Sequence, residues 1–325
     1  MKLSLACWDY DRTRPLIRGL VRAEGIDLQC VNIHYDGIFQ RMMLDLEYDA
    51  AELSLSMYVS SLFLKDKQLI ALPVFLSRFF PHSTVYVNKE SRIDTPQELR
   101  GKRIGIHSYQ FTAGVWIRGI LAEHHGVPLE SVTYVIGGLA DPKEIHIQLP
   151  FEAPKGVKLE RLQKSSTLAD ALENGEIDAL YSTTTPRHFK EKASNVLRLF
   201  KNYRGTEEEY FKETRIFPMM HVLVLKRSIY EENPWIARSL FSAFLKSKQM
   251  AYEQLYQRRT LDPWCAANAD HLVELMGSDF WPYGLKPNEL ALDKFLQYHS
   301  EQGLSKYKIE PKDLFVSESA LETQQ

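Results

Sequence analysis

From its first residues the chain alternates short apolar runs with segments of helical spacing, and this alternation narrows the choice of fold more than any other feature. "KLSLAC" reads as a strand. "RPLIRGLVRAEG" follows with apolar residues at Leu16, Leu20 and Ala23, a helical spacing that ends near Gly25. "IDLQCVNI" is a second strand, "IFQRMMLDLEY" a second helix, and "AAELSLSMYVSSLFLKD" passes from strand into helix before the strand "LIALPVFL". Strands separated by helices pair in parallel, because a parallel crossover needs about the length of a helix to return. The pattern predicts an α/β chain with parallel-rich sheets.

"STVYVNKES" then leads out of the first unit. In "TPQELRGKRIGIHS", Thr95 can cap a short helix with Pro96 at its first position, and "KRIGIH" opens a new sheet. The series continues through "VTYVIG", "TLADALENGEIDALYST" and "NVLRLF", and the apolar strand "MMHVLVLKRS" carries the chain back. The remainder is mostly helical, as in "PWIARSLFSAFLKSKQMAYEQLYQ" and "NELALDKFLQYHSEQG". A length of 325 residues suits two compact units. The expected plan is a discontinuous first lobe of residues 1–85 and 222–325 and a second lobe of residues 86–221. Two hinge crossings join them, with a ligand cleft where strand ends and helix starts converge.

Several classes of function are disfavoured. Forty Lys plus Arg against 42 Asp plus Glu give a net charge of −2, without the basic face that nucleic acid needs. Cys7, Cys30 and Cys265 are too few and scattered for a disulfide framework or a zinc knuckle. No HExxH or clustered His/Asp pattern suggests a metal, and no glycine loop suggests a phosphate-bearing cofactor. The amino terminus has too short an apolar run for a secretory signal, and no run is long enough to span a membrane. The reading is a cytoplasmic protein with reduced cysteines.

The segments "DYDRTRPL", "AELSLSMY", "IALPVFLSR", "LRGKRIGIHSYQFTAGVWIRGIL", "GEIDAL", "IFPMMHVLVLKRSIYEENPW" and "WPYGLKPNELALDKFLQYHSEQGLS" span nearly the whole chain. Together they resemble the 4,5-dihydroxyphthalate decarboxylase family, a cytoplasmic branch of the type II periplasmic-binding-protein fold. The resemblance implies a bilobal α/β fold and the loss of one carboxylate from a dihydroxylated phthalate, giving a dihydroxybenzoate and CO2. The chain differs from the family pattern at Pro81, where a basic residue is expected before His82, and at His107. The ring isomer of the substrate therefore stays open.

Direct loss of CO2 from an aromatic ring would leave an aryl carbanion. A phenolic oxygen offers another route: it feeds electron density into the ring, the ipso carbon takes a proton, and CO2 departs. Such a site needs a cation for carboxylate, an acceptor for the phenol and an acid for carbon, but no organic cofactor.

After the first strand, Arg12 or Arg14 can grip a carboxylate and Asp9 or Asp11 can accept a phenolic proton, or the four form a solvated turn with local ion pairs. Glu52 and Ser54 lie where a strand passes into a helix and are further candidate substrate contacts. Arg78 follows a buried run and is the expected carboxylate clamp, with His82 the second choice of acid. Ser108, Tyr109 and Thr112 sit at a strand-to-helix turn suited to an anion, beside His107; Ser108 or Thr112 can equally be an ordinary cap. His221 lies in an apolar strand at the return crossing and is the first choice for proton transfer. Ser182, Thr184 and Arg187 can meet the ligand from the second lobe.

Two other readings use the same fold. One is a solute-binding or sensor protein for an aromatic acid, without catalysis. The other is a thiamin-pyrimidine synthase-like enzyme, which would carry a cysteine-rich motif absent here. Oligomeric state is open.

Overall fold

The structure, a computed structural model, describes residues 1–144, 147–191, 194–257, 260–317 and 321. Its strands are β1 (Lys2–Ala6), β2 (Asp27–Val31), β3 (Ala50–Ser54), β4 (Leu69–Arg78), β5 (Val85–Asn88), β6 (Arg103–Ile106), β7 (Thr133–Ile136), β8 (Lys158–Arg161), β9 (Ala179–Tyr181), β10 (Val196–Arg198) and β11 (Met219–Lys226). Its α-helices are α1 (Arg14–Ile17), α2 (Tyr35–Asp45), α3 (Leu55–Ser61), α4 (Thr112–His125), α5 (Leu168–Glu173), α6 (Tyr203–Thr214), α7 (Arg227–Glu232), α8 (Trp235–Gln254), α9 (Cys265–Met276) and α10 (Glu289–Glu301). No helix among the described residues is long and apolar enough to cross a membrane.

The chain divides into two compact units. Unit 1 holds Met1–Arg78, Met219–Asp293 and the chain from Ile309 onward; unit 2 holds Phe79–Pro218 and Lys294–Lys308. Three segments fall differently from expectation. Residues 79–85 belong to unit 2, because they lead into β5, which pairs with β9 and β10. Residues 219–221 belong to unit 1, because β11 already begins there. Residues 294–308 belong to unit 2, because Lys294 and Tyr298 donate to Glu123 of α4.

In unit 1 the strand order is β2-β1-β3-β11-β4. β1 pairs in parallel with β2 and β3, and β11 runs antiparallel to both β3 and β4. Leu3 and Leu5 of β1 and Leu223 and Leu225 of β11 share a core with Ile236, Leu240 and Phe244 of α8. Helix α1 is shorter than the spacing suggests. It stops at Ile17, two residues before Gly19 takes up a left-handed φ of 70°, and Leu20 is left exposed. In β4, Pro73 has no N–H to give, and the register with β11 shifts between His221↔Ser77 and Leu223↔Leu72. That irregularity sets His221 between Ser77 of β4 and Ser54 of β3.

In unit 2 the order is β10-β5-β9-β6-β7-β8, parallel from β9 to β8 and antiparallel at the β5 and β10 end. Helix α4 is buried from Thr112 to Leu121. Glycine inside a helix normally costs about 1 kcal/mol relative to alanine. Gly119 is nevertheless required, since a Cβ there would sit 2.2 Å from the ring of Tyr298, itself buried. Gly119→Ala is therefore expected to lower stability by about 1–3 kcal/mol despite its better helix propensity, as an overpacked core does. Denaturant unfolding of the two proteins measures this; an unchanged or raised midpoint would show that the ring moves aside freely.

Candidate active site

The loops that leave the carboxyl ends of β1, β2 and β3 lie at one edge of the unit 1 sheet, together with the start of β11 and the end of β4. In open α/β sheets this edge is where ligands bind. Glu52 sits there with its side chain wholly buried. A carboxyl group withdrawn from water is tolerated when its oxygens are hydrogen-bonded. Trp8 N donates to Oε2 at 3.0 Å, and the Tyr10 hydroxyl donates to Oε1 at 2.6 Å. His221 Nδ1 lies 2.6 Å from the same Oε1. With Glu52 as acceptor, Nδ1 carries the hydrogen, and Nε2 is the nitrogen left without this partner. Burial first, and then the Glu52 charge, push the Tyr10 phenol up, so it stays a donor.

Aromatic rings surround this pair. The rings of Tyr35 and Phe39 lie 5.0 Å from the His221 ring. Trp8 lies 5.2 Å from Tyr35, 5.5 Å from Tyr10 and 4.9 Å from His34. The sequence reading missed Trp8, Tyr10, His34, Tyr35 and Phe39. The available signal was position: "CWDY" and "NIHYDG" each follow a strand at the ligand-binding edge.

The remaining unit 1 candidates are engaged within the protein. Arg14 pairs with Asp9 at 2.8 Å near the surface. Asp11 is exposed and accepts from the backbone and the Nη1 of Arg12. Arg12 donates through Nε and Nη2 to the Leu76 carbonyl, and its guanidinium lies between the rings of Tyr10 and Trp281 at 4.1 and 4.0 Å. Its charge is felt at the Tyr10 hydroxyl. Ser54 caps α3 by accepting from Met57 N at 3.4 Å. Arg78, expected to clamp a carboxylate, is buried; it donates to the Pro282 carbonyl at 3.1 Å and to Asn288 Oδ1, which anchors the loop before α10.

The unit 2 candidates are also committed to local structure. Ser108 accepts from Gln110 N at 3.1 Å, and the cap position of α4 is Phe111, without a side-chain cap bond; Thr112 opens the helix. Tyr109 is buried with its ring stacked on Phe151 at 5.4 Å, and the His107 ring lies against Phe111 at 4.3 Å. Ser182 donates to the Thr184 carbonyl at 2.6 Å and accepts from Thr184 N. Arg187 and His188 donate to Asp170; although burial raises the Asp170 carboxyl, the hydrogen bonds from His188, Thr167 and Arg187 bring it down to about 2. Among the described residues no group of three or more His, Cys, Asp or Glu side chains is arranged to hold a metal ion.

The two α/β units, each built on one sheet, have the periplasmic-binding-protein fold. Solved structures of that fold align along the whole chain. The periplasmic sulfonate-binding protein SsuA of Methylobacillus flagellatus KT has a TM-score of 0.57 at 14% identity, covering 99% of this chain and 94% of that one. The aliphatic sulphonate-binding SsuA of Escherichia coli has a TM-score of 0.53 at 12% identity, covering 100% and 94%. At such identities the likeness defines the fold and leaves function open. No protein-family model matches the chain. A 4,5-dihydroxyphthalate decarboxylase of Comamonas testosteroni is 36% identical over 318 residues, 97% of this chain and 96% of the relative. A second, of Pseudomonas putida, is 34% identical over 212 residues, 65% of this chain and 82% of the relative. The chain belongs to the 4,5-dihydroxyphthalate decarboxylase family, a family of carboxy-lyases.

His82 stands in a different environment from His221. It is buried in unit 2 against Phe200 and Tyr210, with Nδ1 3.9 Å from Glu207 Oε1. Burial, helped by His125 and His124, lowers His82 to about 3, and burial raises Glu207 to about 7. His82 is therefore neutral at neutral pH and a poor acid there. The raised Glu207 means the folded state holds its proton more tightly than the unfolded chain. Its ionisation costs stability above pH 7, and that cost disappears as pH falls towards the ordinary carboxyl value of 4.5. Glu207→Gln is expected to be more stable than the wild type at pH 8–9, by about 3 kcal/mol at most. The advantage should shrink to nothing near pH 4.5. Chemical denaturation across this range tests it, and an advantage that grows with acidity would reverse the assignment.

Proposed function

We propose that this chain removes one carboxylate from 4,5-dihydroxyphthalate, releasing CO2 and a dihydroxybenzoate, with His221 as the proton-transfer group. The single observation that carries the mechanism is the buried Glu52 holding His221 Nδ1 at 2.6 Å beneath a set of aromatic rings. Its 36% identical relative, matched over 97% of the chain, bears the name of that reaction and supports the substrate. The aromatic rings suit a planar substrate, and offset or edge contacts between rings contribute about 0.5–1.5 kcal/mol each beyond area burial. The Arg12 guanidinium, held beside Tyr10, favours an anionic ligand at this edge.

In this reading the Nε2–H of protonated His221 adds to the ipso carbon while the phenol feeds electrons into the ring. The bond to the carboxylate carbon then breaks, and its electron pair restores the aromatic ring as CO2 leaves. Glu52 stabilises the imidazolium and fixes which nitrogen faces the substrate. No step calls for an organic cofactor.

Purified protein incubated with 4,5-dihydroxyphthalate should release CO2 and a dihydroxybenzoate in equal amounts. His221→Gln keeps a polar side chain but does not cycle a proton near neutral pH. It should lower kcat by about 10²–10⁴ and change KM little, the usual cost of losing a positioned acid. Binding of the dihydroxyphthalate by the wild type without CO2 release would favour a binding or sensor protein instead. Near-full turnover by His221→Gln would remove His221 from the chemistry.

A further inference from the structure

The reaction class sets a geometric demand that His221 alone does not meet. In a 4,5-dihydroxyphthalate, the hydroxyl able to feed electrons to the leaving-group carbon is the one para to it. The oxygen that must lose its proton and the carbon that must gain one are at opposite ends of the ring. One imidazole nitrogen does not reach both at hydrogen-bond distance, about 3 Å, so a second proton-handling group is required.

The carboxylates expected to take the phenolic proton are occupied, Asp9 by Arg14 and Asp11 by Arg12. His34 lies on the same aromatic cluster. It follows β2 at the ligand-binding edge, and its ring is 4.1 Å from Tyr35 and 4.9 Å from Trp8. Tyr35 is also 5.0 Å from the His221 ring, so the two imidazoles are at most about 9 Å apart, the sum of their separations from that shared ring. A single aromatic ring fits such a span with one contact at either end, because carbon takes its proton from the ring face and oxygen loses its proton at the ring edge. His34 is the N-cap of α2, and its Nδ1 lies 3.4 Å from Asp36 Oδ2 as well as 3.5 Å from Asp36 N; with the hydrogen on Nδ1 turned to that carboxylate, Nε2 keeps its lone pair and is the nitrogen that meets a substrate. Its side chain is 53% exposed, open to a ligand and to exchange with water.

We infer that His34 is a second catalytic residue, the base for the para hydroxyl, while His221 protonates carbon; this rests on the decarboxylase reading above. His34 Nε2 takes the phenolic proton, and the oxygen electrons pass into the ring. The ipso carbon takes the Nε2 proton of His221, giving a cyclohexadienone that still bears the carboxylate. The carbon–carboxylate bond then breaks, its electron pair returns to the ring as phenolate, and CO2 leaves. His34 returns its proton to the phenolate oxygen, and water reprotonates His221. The net change is one proton consumed for one CO2 released.

Asparagine is as good an N-cap as the side chains that helices prefer, so His34→Asn keeps the start of α2 and removes only the imidazole. The test compares wild type, His34→Asn and His221→Gln on 4,5-dihydroxyphthalate and on a ring-fluorinated 4,5-dihydroxyphthalate whose phenol is more acidic. His34→Asn should lose about 10²-fold or more in kcat/KM on the parent substrate, the ordinary loss of a positioned base. It should recover most of that loss on the fluorinated one, where the phenol gives up its proton more readily. His221→Gln should show no such recovery. Unchanged kcat/KM for His34→Asn on the parent, or a loss of the same size on both substrates, would overturn the base role while leaving decarboxylation standing. Absence of CO2 release by the wild type would overturn the decarboxylase reading and, with it, the role of His34.

Discussion

Glu52 is buried in the middle of β3, where a carboxyl group survives only because three donors meet it. Those donors come from distant parts of the chain: the backbone of Trp8, the hydroxyl of Tyr10 and the ring of His221. The requirement to satisfy one carboxyl group therefore locks the loop after β1 to the start of β11, across the strand that carries Glu52 itself. Removing any donor leaves a buried acceptor short of a partner, which typically costs about 1–3 kcal/mol. The same array fixes the tautomer of His221. One set of hydrogen bonds thus stabilises this edge and orients His221, and the register shift around Pro73 is what brings Ser77 level with the histidine.

The α/β class was legible because strand and helix periods are local properties of the sequence. "KLSLAC", "IDLQCVNI" and "KRIGIH" all became strands close to where their apolar runs lie. The short helix at Pro96 formed with its Thr95 and Glu98 capping box, again a local matter. Misreadings arose where local spacing met a backbone constraint or a distant partner. Leu20 had the spacing of a helix face, but Gly19 ends the helix before it. Residues 294–308 looked like a continuation of the first lobe. Glu123, far away in sequence, holds Lys294 and Tyr298 to unit 2.

The candidate site was legible in part for the same reason. The strand pattern put His221 in an apolar strand at the return crossing and Glu52 where a strand passes into a helix, but that the two meet at one sheet edge needed the fold. Which arginine remains available to a ligand was not readable, because an arginine is spent by whatever carbonyl or amide lies near it in three dimensions. Arg78 and Arg12 both followed from sequence as clamps, yet Asn288 and Pro282 hold the one and Leu76 the other. Nor does a single sequence distinguish aromatic residues that line a site from those that fill a core. Tyr35 and Phe39 have the i, i+4 spacing of an ordinary packed helix face.

His82 and His221 show how the same side chain is placed in opposite surroundings. Both follow or lie within apolar strands near the limits of the two units. His82 has no hydrogen-bond acceptor at its Nδ1, and burial drives it to the neutral form, so its ring serves as packing against Phe200 and Tyr210. His221 has a carboxyl group at hydrogen-bond distance and a partly open ring. The carboxyl group bonded to Nδ1 gives the His221 ring a fixed direction that the His82 ring lacks. A histidine in an apolar strand is oriented by the fold only where an acceptor meets one of its nitrogens. In this chain that acceptor is Glu52, one strand away from His221 in the sheet and 169 positions away in sequence.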